Sequence, residues 1–214
     1  MLFIVERKEM VLTDNEIREY VLNYEKYNLD KPLISEFAEK QLQSESYDIT
    51  ASSKITRLKK EVRCISIDEQ EDIDSMYEEI DMKADGYVIS PKEYIMVALN
   101  EQINLPEFLT AHIRPRTKFT RLGLIVSDQH CNSTYSGVLK IGLYNATDYA
   151  IKLKRGVGIA QVVFEELKSK PSEEKMYRNK LDASYQNEKE FIGAKFDSEF
   201  QENVSRIVDK ILEE

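Results

Sequence analysis

Apolar residues change their spacing along this chain, and the change falls near Gly86. Ahead of it, Ile17, Val21 and Tyr24 recur at helical intervals after Thr13-Asp14-Asn15-Glu16. That tetrapeptide fits a capping box, in which Thr and Glu satisfy the free N–H groups of a helix start. The pattern predicts a helix over about 14–25, inside an N-terminal helical segment 11–27. Residues 2–5 read as a short strand, and Asn28 to Pro32 as a turn. Tyr47 and Ile49 alternate with Asp48 and Thr50, which marks entry into a strand, and Val62 to Ile67 reads as another. Residues 68–85 are acidic, with Ile73, Met76, Tyr77 and Ile80 at i, i+3, i+4 and i+7. They predict a short amphipathic helix with a solvated acidic face. An acidic metal site is the sharper alternative, but EF-hand spacing is missing.

Beyond Gly86 the runs shorten. Tyr87–Ile89, Tyr94–Leu99, Leu109–Ile113, Leu122–Val126, Val138–Tyr144, Ile151–Leu153 and Val157–Phe164 are apolar or alternating, and turn-forming groups such as Asp128 to Thr134 separate them. Many short strands at even spacing predict a mostly β sandwich or barrel. Phe196, Phe200, Val204, Ile207, Val208, Ile211 and Leu212 mark one face of a C-terminal helix over 196–214. Docking on the barrel or on a neighbouring subunit is the plainer use of that face, and binding a protein partner the other. Residues 1–214 thus read as one domain with helical ends.

Composition narrows the function. The formal net charge of −9 argues against general nucleic-acid binding, which needs a basic footprint. Two cysteines, Cys64 and Cys131, cannot make a disulfide framework, and a reducing cytoplasm is the expected setting. The first residues are too short for a signal segment, and no apolar run is long enough to span a membrane. His112, His130 and the two separated cysteines offer too few neighbouring ligands for a zinc site.

Against this acidic background, Arg114-Pro115-Arg116-Thr117-Lys118-Phe119-Thr120-Arg121 concentrates cations and hydroxyls just before an apolar Leu122-Gly123-Leu124-Ile125-Val126. Arg offers a planar fork, Lys a point charge and Thr a hydroxyl donor. The stretch reads as an anion-binding turn against a buried strand. On the residues alone, the competing reading is an exposed basic loop paired with the chain's excess carboxylates.

The order of segments resembles the dCTP deaminase and dUTPase superfamily, closer to the deaminase branch, from about Val11 to Glu190. Leu12 to Ile17 looks like the family's opening helix. Gln43 to Ile49 resembles its Q-P-x-S-x-D-L segment, with Ser44 in place of Pro. Ile103 to Pro106 followed by Arg116 to Leu124 resembles the R-S-S-L-x-R-L-G-L motif, and Tyr135-Ser136-Gly137, Leu143-Tyr144-Asn145 and Gly156 to Phe164 match in order and spacing. The resemblance implies a distorted jelly-roll-like β-barrel of the dUTPase kind, a homotrimer, and nucleotide sites shared between subunits. It implies nucleotide or phosphate contacts at Arg116, Thr117, Lys118, Arg121, Gln161, Tyr177 and Lys180, with Mg²⁺ carried on the phosphates of a triphosphate. Thr117 keeps the motif's first hydroxyl, whereas Lys118 replaces its second Ser.

The departures concern catalysis. The resemblance places the family's two water-activating carboxylates on Asn132 and Gly142. An amide cannot take a proton from water, and glycine has no side chain. Asp128, in the turn before them, is a candidate substitute. Losing a side chain at Gly142 implies an enlarged pocket. Tyr177 to Glu188 resembles the closing lid, with Ser184 at the family's phosphate-binding Lys and Glu188 at its nucleotide-contacting Gln; Lys180 or Arg178 could compensate. Three functions follow: a nucleotide-binding relative without family-type catalysis that senses or sequesters its ligand, an active deaminase or diphosphatase with a shifted site, and a trimeric scaffold. The residues favour the first.

Overall fold

The computed structural model describes residues 11–61 and 64–196. The expected strand at 2–5 lies outside them, as does the expected C-terminal helix over 196–214 beyond its first residue. Thirteen strands occur in chain order: β1 (Ile34–Ser35), β2 (Tyr47–Leu58), β3 (Tyr77–Asp81), β4 (Tyr87–Ile89), β5 (Tyr94–Leu99), β6 (Gln102–Asn104), β7 (Leu109–Pro115), β8 (Leu124–Val126), β9 (Gln129–Cys131), β10 (Ser136–Gly137), β11 (Lys140–Asn145), β12 (Ile151–Leu153) and β13 (Gly158–Glu166). Among the described residues three short α-helices join these strands: α1 (Asp14–Leu22), α2 (Gln70–Ser75) and α3 (Thr117–Leu122).

The capping box forms: the Thr13 N–H donates to Glu16 Oε2 at 2.8 Å, and Ile17 and Val21 bury the inner face of α1. The helix stops at Leu22, short of the expected 25, and a 3₁₀ turn over Tyr24–Tyr27 follows. Asn28, at φ 54°, ends that turn in the left-handed conformation that Asn tolerates.

The main sheet runs β8-β11-β5-β2-β13-β7-β9, with β3 added to β2. Its two end strands, β8 and β9, are consecutive in the chain and joined only by Ser127 and Asp128. A link that short reaches roughly 10 Å, so the sheet curls until its ends approach each other. The result is a half-barrel. Smaller sheets, β1-β6-β10 and β12-β4, complete the shell. β2 spans the curl by changing partners: residues 47–50 pair with β13, and residues 54–58 with β3. Tyr47, Ile49, Ile55, Ile95, Val97, Ile113, Ile141, Leu143, Val162 and Phe164, all at most 1% exposed, fill one continuous core. Each such side chain contributes about 1.5–3 kcal/mol through burial.

Two expectations fail here. Residues 64–67 form no strand, and the acidic helix covers only Gln70–Ser75. Tyr77–Asp81 instead pairs antiparallel with β2. That pairing sets acidic residues opposite basic ones: Arg57 Nε meets Glu78 Oε1 at 2.5 Å, and Lys54 Nζ meets Asp81 Oδ1 at 3.1 Å. Cross-strand charge pairs and a backbone ladder outweigh the helical spacing of Ile73, Met76, Tyr77 and Ile80. The strand expected after Val62 is unnecessary, because β3 already covers that edge of β2. In addition, Gln129–Cys131, expected within a turn, forms β9 against β7.

Candidate functional site

The cationic stretch is a helix rather than a turn. β7 ends at Pro115, Arg116 is the extended N-cap of α3, and Gly123, at φ 81°, closes the helix in the left-handed region that favours glycine. Phe119 anchors α3 in the core, which leaves Thr117, Lys118 and Arg121 exposed. Among the described residues Lys118 and Arg121 form no ion pair.

Arg116 behaves differently. Its guanidinium lies half-buried, with Nη2 2.8 Å from Asp48 Oδ2 and Nη1 donating to the Gly158 carbonyl at 3.0 Å. A Cβ on Gly158 would sit 2.4 Å from Nη1, so a side chain there would push the guanidinium out of this position. Burial raises the Asp48 pKa, and the charges of Arg116 and Lys118 oppose that rise. The pair opens on a polar cavity of about 740 Å³ that Glu101, Gln41 and Arg155 also line. Glu101 is 1% exposed, and it accepts hydrogen bonds from the Thr50 N–H at 2.9 Å, the Thr50 hydroxyl at 2.8 Å and Gln41 Nε2 at 2.7 Å.

The Gly142 region bears on two expectations. Gly142 lies on β11 opposite Met96, and its N–H donates to Ser127 Oγ at 2.9 Å. A Cβ there would lie 2.3 Å from the Tyr94 hydroxyl oxygen and 2.9 Å from Cε2 of the same ring. The space left by the missing side chain is therefore taken by Tyr94, and the pocket is not enlarged. Asp128 is not brought to Asn132 within one chain. It is exposed at the surface, 3.4 Å from Arg114 Nη1, and does not line the cavity that contains Asn132.

That second cavity, of about 630 Å³, lies between β9–β11 and the C-terminal segment. Asn132, Tyr135, Lys140, Tyr177, Tyr185 and Glu188 are among its lining residues. The segment docks on its own chain. The buried Met176 anchors it, the Asn187 N–H donates to the Ser136 carbonyl at 2.7 Å, and the Val138 N–H donates to the Glu188 carbonyl at 2.8 Å. The Tyr177 ring meets Tyr135 edge-on at 5.8 Å.

Inside the cavity two charges are buried together. The Lys140 and Glu188 side chains are 10% and 5% exposed, with Nζ 3.6 Å from Oε1. Oε1 also accepts the Ile192 N–H at 3.0 Å, and Lys140 Nζ donates to the Val138 and Lys189 carbonyls. Burial raises the Glu188 pKa, against the Ile192 N–H and Lys140. Burial lowers the Lys140 pKa, against Glu188. Beside them, the Tyr135 hydroxyl is the one buried side-chain polar atom among the described residues that lacks a hydrogen-bond partner. Burial and the charge of Glu188 push its pKa up.

A single chain therefore does not gather the expected residues. Arg116 lines the polar cavity, while Asn132 and Tyr177 line the aromatic one. Gln161 sits half-buried on β13 between Asp48 and Arg114, and Thr117, Lys118, Arg121 and Lys180 are exposed. Sequence reasoning missed Tyr135 and Lys140 as site residues. Strand alternation, which sets Lys140 on the same face of β11 as Gly142, is the available signal for one of them. His112 and His130 face each other across β7 and β9 with ring centroids 5.0 Å apart. Burial pushes the Cys131 thiol up to about 12, which keeps it protonated. The two carboxylates beside the cationic stretch, Asp48 and Asp128, are both paired with arginines. This donor set does not fit a Mg²⁺ held by the protein. Among the described residues no helix is long and apolar enough to cross a membrane.

A curled antiparallel sheet, a cationic helix beside its seam and a C-terminal segment closed over an aromatic cavity together define a mostly β half-barrel protein. Residues 11–167 match the family described as dCTP deaminase-like, and the chain belongs to that family. It is 32% identical over 168 residues to a dUMP-forming dCTP deaminase of Hydrogenobaculum sp. (strain Y04AAS1), covering 76% of this chain and 86% of that protein. A dUMP-forming dCTP deaminase of Sulfurihydrogenibium sp. (strain YO3AOP1) is 28% identical over 172 residues, covering 80% and 91%. The fold is similar to that of 2'-deoxycytidine 5'-triphosphate deaminase from Agrobacterium tumefaciens, with a TM-score of 0.58 at 20% identity over 74% of this chain and 47% of that longer one.

Proposed function

We propose that this protein binds a pyrimidine deoxynucleotide and does not turn it over by its family's route. It acts in the cytoplasm as a nucleotide sensor or sequestering protein. The observation that carries this reading is the Tyr94 ring in the space a side chain at position 142 would need. With an amide at Asn132 as well, neither position offers a base. Lys118 and Arg121 are free of ion pairs among the described residues and suit phosphate, with any Mg²⁺ carried by the ligand. None of the exposed motif residues lines the aromatic cavity of its own chain. A homotrimer that sets one subunit's α3 against a neighbour's cavity would unite them.

Calorimetry with a nucleotide panel, beside a turnover assay at high protein concentration with Mg²⁺, tests this. The expected result is binding of dCTP or dUTP without release of uracil nucleotide or pyrophosphate, and loss of binding in Arg121→Ala. Unchanged affinity in that variant would place the ligand elsewhere. A second reading has one observation behind it. Glu188 is a buried carboxylate lining the same cavity as Asn132, and it would supply a displaced base. Turnover that disappears in Glu188→Gln would establish it in place of the first.

A further inference from the structure

Helix α2 and the start of β3, in the acidic stretch, turn polar side chains toward the end of the C-terminal segment. The Gln70 amide donates to the Ala194 carbonyl at 3.0 Å and accepts the Phe196 N–H at 3.3 Å. It thereby engages that segment as a peptide group of a neighbouring strand would. Lys195 Nζ donates to both oxygens of Asp74, at 2.9 and 3.0 Å, and Gln70 Nε2 donates to Asp74 Oδ1 at 2.9 Å. The Tyr77 hydroxyl accepts the Ala194 N–H at 3.3 Å, and its ring meets Phe191 edge-on at 4.9 Å. Gly193 lies between these contacts. A Cβ there would sit 2.9 Å from Tyr77 Cε2 and 3.3 Å from Asp74 Oδ1, so the missing side chain lets the segment approach. Phe191, Gly193 and Lys195, at alternate positions, are thus each met by Tyr77 or Asp74.

The same residues build the cavity wall. Phe191, Ile192, Ala194 and Lys195 line the aromatic cavity together with Tyr77. Upstream, the barrel holds the segment through the Asn187 and Val138 N–H bonds and through the buried Lys140–Glu188 pair. Such a pair is weak evidence for stability, because desolvation offsets its attraction. Much of the closing force therefore falls to α2 and β3. That unit hangs on β2 alone, outside the main run of the sheet. We propose that Gln70, Asp74 and Tyr77 form a clasp that holds the C-terminal segment shut over the aromatic cavity, so that opening of the cavity is governed by the acidic stretch and by ionic strength. The salt dependence comes from the Lys195–Asp74 pair, whose side chains are 31% and 49% exposed and so open to screening. The clasp uses only contacts within the chain and stands whether or not the ligand is a nucleotide.

The test is amide hydrogen exchange on the full chain. Gln70→Ala removes both hydrogen bonds to the segment's backbone and should speed exchange about tenfold or more at Ile192, Ala194 and Phe196. The same acceleration should reach Asn187 and Val138, whose N–H groups close the segment on the barrel, while β13 keeps its native rates. Asp74→Lys and Lys195→Asp, each alone, should accelerate the same amides about threefold or more, and the double variant Asp74→Lys/Lys195→Asp should return them close to the native rate. Raising sodium chloride from about 0.05 to about 1 M should speed these amides severalfold in the native chain and leave Asp74→Asn unaffected. Acceleration confined to 191–196, with Asn187 and Val138 unmoved, would overturn the inference by making the contact a local one. Acceleration that extends to β13 would overturn it too, by making α2 part of the barrel's own stability. So would a double reversal that exchanges as fast as either single variant, or a native chain indifferent to salt.

Discussion

Two cavities of similar size, about 740 and 630 Å³, bury carboxylates under opposite conditions. In the first, Glu101 and Asp48 are held by partners fixed in the barrel. Glu101 receives three hydrogen bonds, and Arg116 braces Asp48 over Gly158. In the second, Glu188 arrives on a docked segment, meets Lys140 at 3.6 Å and leaves one oxygen unbonded beside an unpartnered tyrosine. Saturated charges organise a scaffold, whereas a buried pair with fewer partners is costlier to keep and more easily perturbed. The contrast shows what Arg116 does within its own chain. It stands in the motif expected to grip phosphate, yet its fork is occupied by the barrel.

Breaking the saturated side should cost most. Glu101→Ala strands the Thr50 N–H, its hydroxyl and the Gln41 amide, and is expected to destabilise the fold by about 3–5 kcal/mol in urea unfolding. A loss below about 1 kcal/mol would mean that the network is not structural. On the unsaturated side, Lys140→Met leaves Glu188 buried and alone, for a loss of roughly 2–3 kcal/mol. The double variant Lys140→Met/Glu188→Gln should recover most of it, because two costly buried charges leave together.

The pH dependence contributed by Glu188 has a definite sign. The Glu188 pKa is raised, so its contribution to stability is complete below the ordinary glutamate range. It falls away as the pH rises through the raised value. Unfolding midpoints of the native chain should decline across that window, and those of Glu188→Gln should decline less. The smallest effect concerns the vacant family position. Gly142→Glu must swing the far end of the Tyr94 ring outward, at about 1–2 kcal/mol. A Tyr94→Ala background should remove that cost. If Gly142→Glu is neutral by itself, Tyr94 does not hold the space.

Helix α1 was legible because its signals are local. Thr13 and Glu16 cap it, and Ile17 and Val21 repeat on one face. Strands β4, β5 and β12 fell where the apolar runs placed them. β3 was illegible because Ile73, Met76, Tyr77 and Ile80 satisfy a helical period, and only the presence of β2, with Arg57 and Lys54 on it, decides for a strand. For the site, the chemistry of single residues was readable: a basic stretch, an amide at Asn132 and no side chain at Gly142. Where each side chain's charge is spent was not.

By itself the sequence determined the family and the mostly β class, because an ordered series of motifs and a repeated strand length are properties of the chain alone. It also determined that Asn132 and Gly142 carry no base. Only the tertiary structure decided that Tyr94 fills the space at Gly142, that Asp48 and Gly158 claim Arg116, and that Glu188 lies buried against Lys140. Each of these is a contact between residues distant in the chain, and its energy comes from desolvation and geometry set by the curl of the sheet.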